Sequence, residues 1–180
     1  MLNRHRDRHE RPPNQSLRRI VIKRRRHRNA SLCRNSNMSP AKPTMSNAIR
    51  TALIAPCGMN CRLCIAYTRD TKACSGCRGD DSVKPKTRVT CRIKNCEKIR
   101  HGKVRYCFIC ERFPCDRQSH LDERYRIKYG MSMIENLAFI KKFGIRYFTR
   151  NEREMWTCPK CSQLLCVHKP QCLFCGNKWR

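Results

Sequence analysis

Sixteen of the 180 residues are cysteine, and fifteen of these fall between Cys57 and Cys175, mostly as pairs separated by two residues. Loops this rich in thiols cannot bury enough apolar surface to hold themselves, so such a chain is cross-linked by disulfides or by metal ions. Compartment decides which. The most apolar N-terminal stretch, "LRRIVIKRRRHR", has three consecutive aliphatic residues between basic ones. That is short of the run a secretory signal needs, and no stretch reaches the roughly 20 apolar residues of a membrane span. The expectation is a cytoplasmic protein, not bound to membrane, whose reduced thiols bind metal.

The spacing of the thiols suggests where. Cys158-x2-Cys161 and Cys172-x2-Cys175 stand in "CPKC" and "CLFCG", whose Pro and Gly suit tight knuckles in which backbone amides donate to sulfur. Two such knuckles can meet around one tetrahedral ion, so residues 157–180 read as a zinc ribbon. Cys166 and His168 lie inside its loop as further candidate ligands, either in place of a knuckle residue or, with another free cysteine, in a second site. Upstream, residues 53–115 read as a knuckle module carrying Cys57, Cys61, Cys64, Cys74, Cys77, Cys91, Cys96, Cys107, Cys110 and Cys115. The most regular arrangement sets Cys61 and Cys64 with Cys74 and Cys77, and Cys91 and Cys96 with Cys107 and Cys110, leaving Cys57 and Cys115 over. A cross-brace fits the spacing equally well. Altogether two to four zinc ions are expected.

One stretch permits another cofactor. "LIAPCGMNCRLC" places Cys57, Cys61 and Cys64 in a C-x3-C-x2-C pattern, the spacing with which radical-SAM enzymes hold a [4Fe–4S] cluster. Those enzymes need repeated strand–helix units around the cofactor. The residues after Cys64 show no such alternation and hold twelve more cysteines. The alternative left open is an iron–sulfur or thiol redox protein, with a cluster held by Cys57, Cys61, Cys64 and one downstream cysteine.

Between the cysteine-rich regions, residues 116–156 read as a helical segment. Leu121, Tyr125 and Tyr129 recur at helical spacing before Gly130, and "SMIE" is a capping box, with Ser132 accepting from the Glu135 amide. Met133, Leu137 and Ile140 then mark an apolar face up to Gly144, widened by Ile134, Phe139 and Phe143. A third segment, from Ile145 to Trp156, is expected to be helical in part. The fold class expected is therefore a small, metal-stabilised α+β protein.

Residues 1–52 read as a disordered basic extension. Positions 1–44 hold 13 Lys and Arg against 2 Asp and Glu, show no apolar period, and precede a plausible start at Met45. They supply +11 of the formal +28, and thiolate-bound zinc lowers the rest further. Nucleic acid is the partner such charge suggests, reached through this arm and through basic loops in which Tyr106 and Phe108 offer rings for stacking. No acid–base constellation stands out. Asp80 and Asp81 sit in a Gly-flanked turn, "LDER" reads as solvated helix charge, and His101 and His120 are isolated, so an interaction or structural module is favoured over an enzyme.

From about Leu53 to Cys175 the chain resembles a prokaryotic cysteine-rich family known as domain of unknown function 3795. The resemblance rests on "APCGMNCRLCIAY", "CSGCRG", "CFICERFPC", "RYRIKYGMSMIENL" and "WTCPKCSQLLCVHKPQCLFCG". It implies a small metal-binding protein and no particular activity.

Overall fold

The computed structural model describes residues 47–180. Here α1 (Ile65–Thr68), α2 (Lys86–Val89) and α3 (Glu97–Arg100) are single turns among loops, and α4 (Asp116–Tyr129), α5 (Met133–Phe143) and α6 (Ile145–Met155) are the long elements. Most of the expected basic extension, residues 1–46, lies outside the described residues. Its last part, 47–52, does not behave as extension: Ile49 is buried, and a 3-10 turn begins at Thr51.

The long helices follow from their termini. Gly130, left-handed at φ 63°, ends α4 and returns its N–H to the Arg126 carbonyl, as a glycine just past a helix can do without a Cβ clash. Two residues later Ser132 caps α5, its Oγ accepting from the Glu135 amide at 3.0 Å as the capping box predicts. Gly144 then separates α5 from α6, which runs as one helix to Met155 and is thus longer than the partial helix expected.

Asp122 joins α4 to α5. Its Oδ1 accepts from Ser132 Oγ at 2.7 Å and from the Ile134 amide at 2.9 Å, and Arg126 lies 3.7 Å from Oδ2. The carboxylate thus sits at the N-terminus of α5, where two orphan donors and the helix dipole favour negative charge. The reading of "LDER" as solvated charge is corrected here: Asp122 is buried. A helix start that is itself buried needs an acceptor, and one turn of α4 supplies it.

The apolar face of α5 is the expected one, with Met133, Leu137 and Ile140 buried. Phe139 and Phe143 continue it into an aromatic cluster with Tyr147 and Phe148 of α6, ring centroids 4.8–6.0 Å apart. Leu63 and Ile54 from the upstream loops and Leu165 and Val167 from the C-terminal segment are buried as well. Each such side chain contributes about 1.5–3 kcal/mol of burial. The three segments share backbone bonds too: Val167 N–H donates to Leu63 O, Leu165 N–H to Trp156 O, and Cys107 N–H to Pro56 O.

The β component of the expected α+β class is absent among the described residues. Three isolated antiparallel bridges occur, Ile54 with Asn60, Thr157 with Leu164, and Gln171 with Lys178, and no strand extends from them. Each bridge closes a loop of a few residues, and amides inside those loops turn toward sulfur, which stops a ladder after one rung. The fold is small and mostly helical, and no helix among the described residues is long and apolar enough to cross a membrane.

Asp122→Ala should lower stability by about 2–3 kcal/mol, because it leaves the buried Ser132 hydroxyl and the half-buried Ile134 amide without an acceptor. Arg126→Ala, which removes only the exposed partner, should cost under about 1 kcal/mol. Urea denaturation of the two variants checks the order.

Candidate metal centre

Four sulfur atoms meet at the C-terminal end of the chain. Cys158, Cys161, Cys172 and Cys175 bring their Sγ atoms within 4.8 Å of one another, with Cys158 3.7 Å from Cys175 and Cys161 3.6 Å from Cys172. Two equivalent turns build the cluster. In the first, Cys158 N–H donates to Gln163 O and Ser162 N–H to Cys158 O; in the second, Cys172 N–H donates to Asn177 O and Gly176 N–H to Cys172 O. The residue after each second cysteine is left-handed, Ser162 at φ 59° and Gly176 at φ 68°, which turns the following amides back toward sulfur. Gln163 N–H reaches Cys161, Phe174 and Cys175 N–H reach Cys172, and Asn177 N–H reaches Cys175.

The electrostatics of the cluster are those of a cation site. The Asn177 amide, aided by the neighbouring thiols, holds Cys175 down to about 7. Burial, followed by hydrogen bonds to the other thiols, pushes Cys161 up to about 12. One thiolate forms readily and then resists the next, because like charges this close cannot all ionise without a counter-charge. A metal ion supplies that charge, so these four cysteines can hold one.

Cys166 and His168 stand apart from this cluster. The bond from Val167 N–H to Leu63 O turns their loop inward, toward the upstream region. There Cys166 is buried beside Cys64 and takes the His168 and Lys169 amides on its sulfur. His168 accepts from the Ile65 N–H on Nδ1 at 3.4 Å and faces Tyr125 Oη through Nε2 at 3.1 Å. Burial, with Arg88 and Arg180 nearby, pulls it down to about 4. Both ring nitrogens are thus engaged, and the loop sets Cys166 and His168 beside the upstream region, outside the C-terminal quartet.

The ten upstream cysteines divide between two cavities. Cys57, Cys61, Cys64, Cys74, Cys77 and Cys91 line one of about 790 Å³. Cys96, Cys107, Cys110 and Cys115 line a second of about 40 Å³. Cys91 and Cys115 thereby exchange the roles their spacing suggests. The cause is local: α3 and the bond from Val104 N–H to Lys98 O fold the chain back so that Cys96 faces Cys107, while α4 starts directly after Cys115 and carries it alongside. Among the described residues no three upstream ligand atoms come within 4.8 Å of one another.

Polar side chains hold the Cys57 loop against the helices. Gln118 Nε2 donates to Cys57 O and Asn136 Nδ2 to Gly58 O, both at 2.9 Å. Gly58, at φ 88°, sits so close to α5 that a Cβ would lie 2.6 Å from Met133 O. Burial raises Cys57. Cys77 N–H donates to Cys61 Sγ at 3.3 Å, and a hydrogen bond between the two thiols lowers Cys77 to about 7 while raising Cys61. Sequence reasoning missed Gln118, Asp122 and Asn136. For Asn136 a signal existed, since it falls on the same helical arc as Met133, Leu137 and Ile140.

Tyr106 is buried, stacked on Phe108 at 5.7 Å, with the Arg78 guanidinium 4.9 Å above it. Asp81 is ion-paired with Lys84 and Lys94 and not merely solvated.

Residues 53–120 match the model of a family described as Protein of unknown function (DUF3795), the family the sequence resembles. The matched segment contains all ten upstream cysteines; α5, α6 and the C-terminal cluster lie beyond it. No curated protein and no solved structure matches the chain.

Gly58→Ala should cost about 2–4 kcal/mol, combining a left-handed backbone with a backbone clash. Thermal unfolding against wild type measures it, and a loss below about 1 kcal/mol would mean the loop is not held as described.

Proposed function

We propose that Cys158, Cys161, Cys172 and Cys175 bind one zinc ion as thiolates, forming a zinc ribbon, and that the protein is a metal-stabilised structural or interaction module. The observation that carries this reading is the mutual approach of the four sulfurs. A tetrahedral ion with Zn–S bonds of about 2.3 Å sets its ligand sulfurs about 3.8 Å apart, and two pairs here stand at 3.6 and 3.7 Å, with all four sulfurs within 4.8 Å.

Four thiolates complete the coordination of zinc and leave no position for water or substrate, which is the arrangement of structural sites and not of catalytic ones. Amide donors onto sulfur spread the negative charge and favour retention of the ion. The ion in turn closes the loop between the knuckles, whose apolar support is Leu164, Leu165 and Trp156 packed edge-on against Trp179 at 5.2 Å. Metal binding at such a site is folding free energy for the segment that supplies it.

Purified protein should carry zinc that Cys158→Ser and Cys172→Ser each remove and Cys166→Ser does not, as read by elemental analysis. Retention of that ion in either of the first two variants would overturn the assignment. Because every ligand must lose its proton, the apparent zinc affinity should fall as pH drops, by about tenfold or more per unit below neutrality. Competition with a chromophoric chelator measures this, and a flat profile between pH 6 and 8 would count against thiolate ligation. A strong chelator should also abolish the near-UV signal of Trp156 and Trp179 while α4 to α6 keep most of their helical signal.

A further inference from the structure

Six cysteines face the larger upstream cavity, yet among the described residues no three of their sulfurs come within 4.8 Å of one another. We propose that this cavity holds a [4Fe–4S] cluster ligated by Cys57, Cys61, Cys64 and Cys77. The site shares no residue with the C-terminal cluster, so the two readings stand or fall separately.

Size is the first argument. A single ion draws its ligand sulfurs to about 3.8 Å, as the C-terminal set nearly shows. A cubane cluster carries its thiolates on four outer corners with the irons between them, which sets the sulfurs roughly 6 Å apart. Six thiols around an open volume of about 790 Å³, of which no three gather to the scale of one ion, suit the second geometry better than the first, and the hydrogen-bonded Cys61 and Cys77 would part to receive it.

The choice of ligands follows from Cys77. Its N–H donates to Cys61 Sγ at 3.3 Å, which sets its turn against the C-x3-C-x2-C triplet, and it interacts electrostatically with each of Cys57, Cys61 and Cys64. Its hydrogen bond with the Cys61 thiol would be replaced by two Fe–S bonds. Cys74 and Cys91 line the same cavity and are the cysteines left outside this set.

Charge and hydrogen bonding support the same occupant. A cubane with four thiolates is an anion. Arg88, Arg92, Arg117 and Arg124 line the cavity, and Arg88 acts directly on Cys64 and Cys77. Met59 N–H points to Cys57 sulfur, Ala66 and Tyr67 N–H to Cys64, and Cys77 N–H to Cys61. Such amides stabilise a thiolate-bound cluster and tune its potential.

The test is purification of the full chain without oxygen from iron-replete cells. Iron and acid-labile sulfide should each reach about four per chain, with visible absorption that bleaches on reduction. Cys57→Ser, Cys61→Ser, Cys64→Ser and Cys77→Ser should each lower both by about tenfold while the helical circular-dichroism signal is retained, which reports that the variant still folds. Zinc without sulfide in the wild-type protein, or iron and sulfide undiminished in Cys64→Ser and Cys77→Ser, would overturn the proposal. If the serine variants do not fold, X-ray absorption at the iron edge of the wild-type protein decides. Iron–iron scattering supports the cluster, and iron with sulfur neighbours alone refutes it.

Discussion

Irregular backbone, once buried, must still find partners for its carbonyls and amides, and this requirement organises the whole protein. A sheet would supply them along its ladders; here no strand does so among the described residues. The helices do it with side chains instead. Gln118 from α4 and Asn136 from α5 take the carbonyls of Cys57 and Gly58, and Asp122 takes the donors at the start of α5. Truncating such a group leaves a buried polar atom exposed to nothing, at a cost of about 1–3 kcal/mol. The cysteine loops therefore owe their placement to polar stripes on helices as much as to their own thiols.

The thiols themselves fall into two regimes. At the C-terminal end, paired turns with left-handed corners bring four sulfurs to the scale of one ion. Upstream, turns of similar sequence leave the sulfurs spread over cavity walls. Helix α4 borders them there: Asp116, Arg117, Leu121 and Arg124 line the larger cavity. Identical ligand chemistry thus meets different spatial arrangements within one chain, which is why counting C-x2-C pairs does not tell which thiols come together closely enough to hold one ion.

The parts legible in the sequence were those governed by contacts close along the chain. The Ser132 cap, the face of Met133, Leu137 and Ile140, the stop at Gly130 and the C-terminal quartet depend on neighbours within a turn or a short loop. The division of the upstream cysteines was not legible, because Cys91 and Cys115 are sorted by the fold-back at α3 and by the start of α4, events that spacing does not encode. Asp122 was misread for the same reason: its environment is made by Ser132 and Ile134 across a helix junction. The expected strands failed because the chain spends its loop amides on sulfur. Where the family match ends, at residue 120, the chain has just entered α4. The helix that forms that cavity wall is thus only partly inside the matched segment.

The loop from Cys166 to His168 has a consequence for how this chain can be divided. It lies within the C-terminal module by sequence, but Val167 completes the hydrogen bonding of Leu63, and His168 lies between the Ile65 amide and the Tyr125 hydroxyl. The last twenty-odd residues are therefore a wall of the upstream half and not an appendage to it. A fragment ending at Met155 would uncover Leu63 and strand the amide of Ile65, and a fragment beginning at Trp156 would lose the surface on which Val167 rests. Among the described residues, the junction of Met155 and Trp156 is therefore a boundary in sequence that the hydrogen bonds of Val167 and His168 reach across.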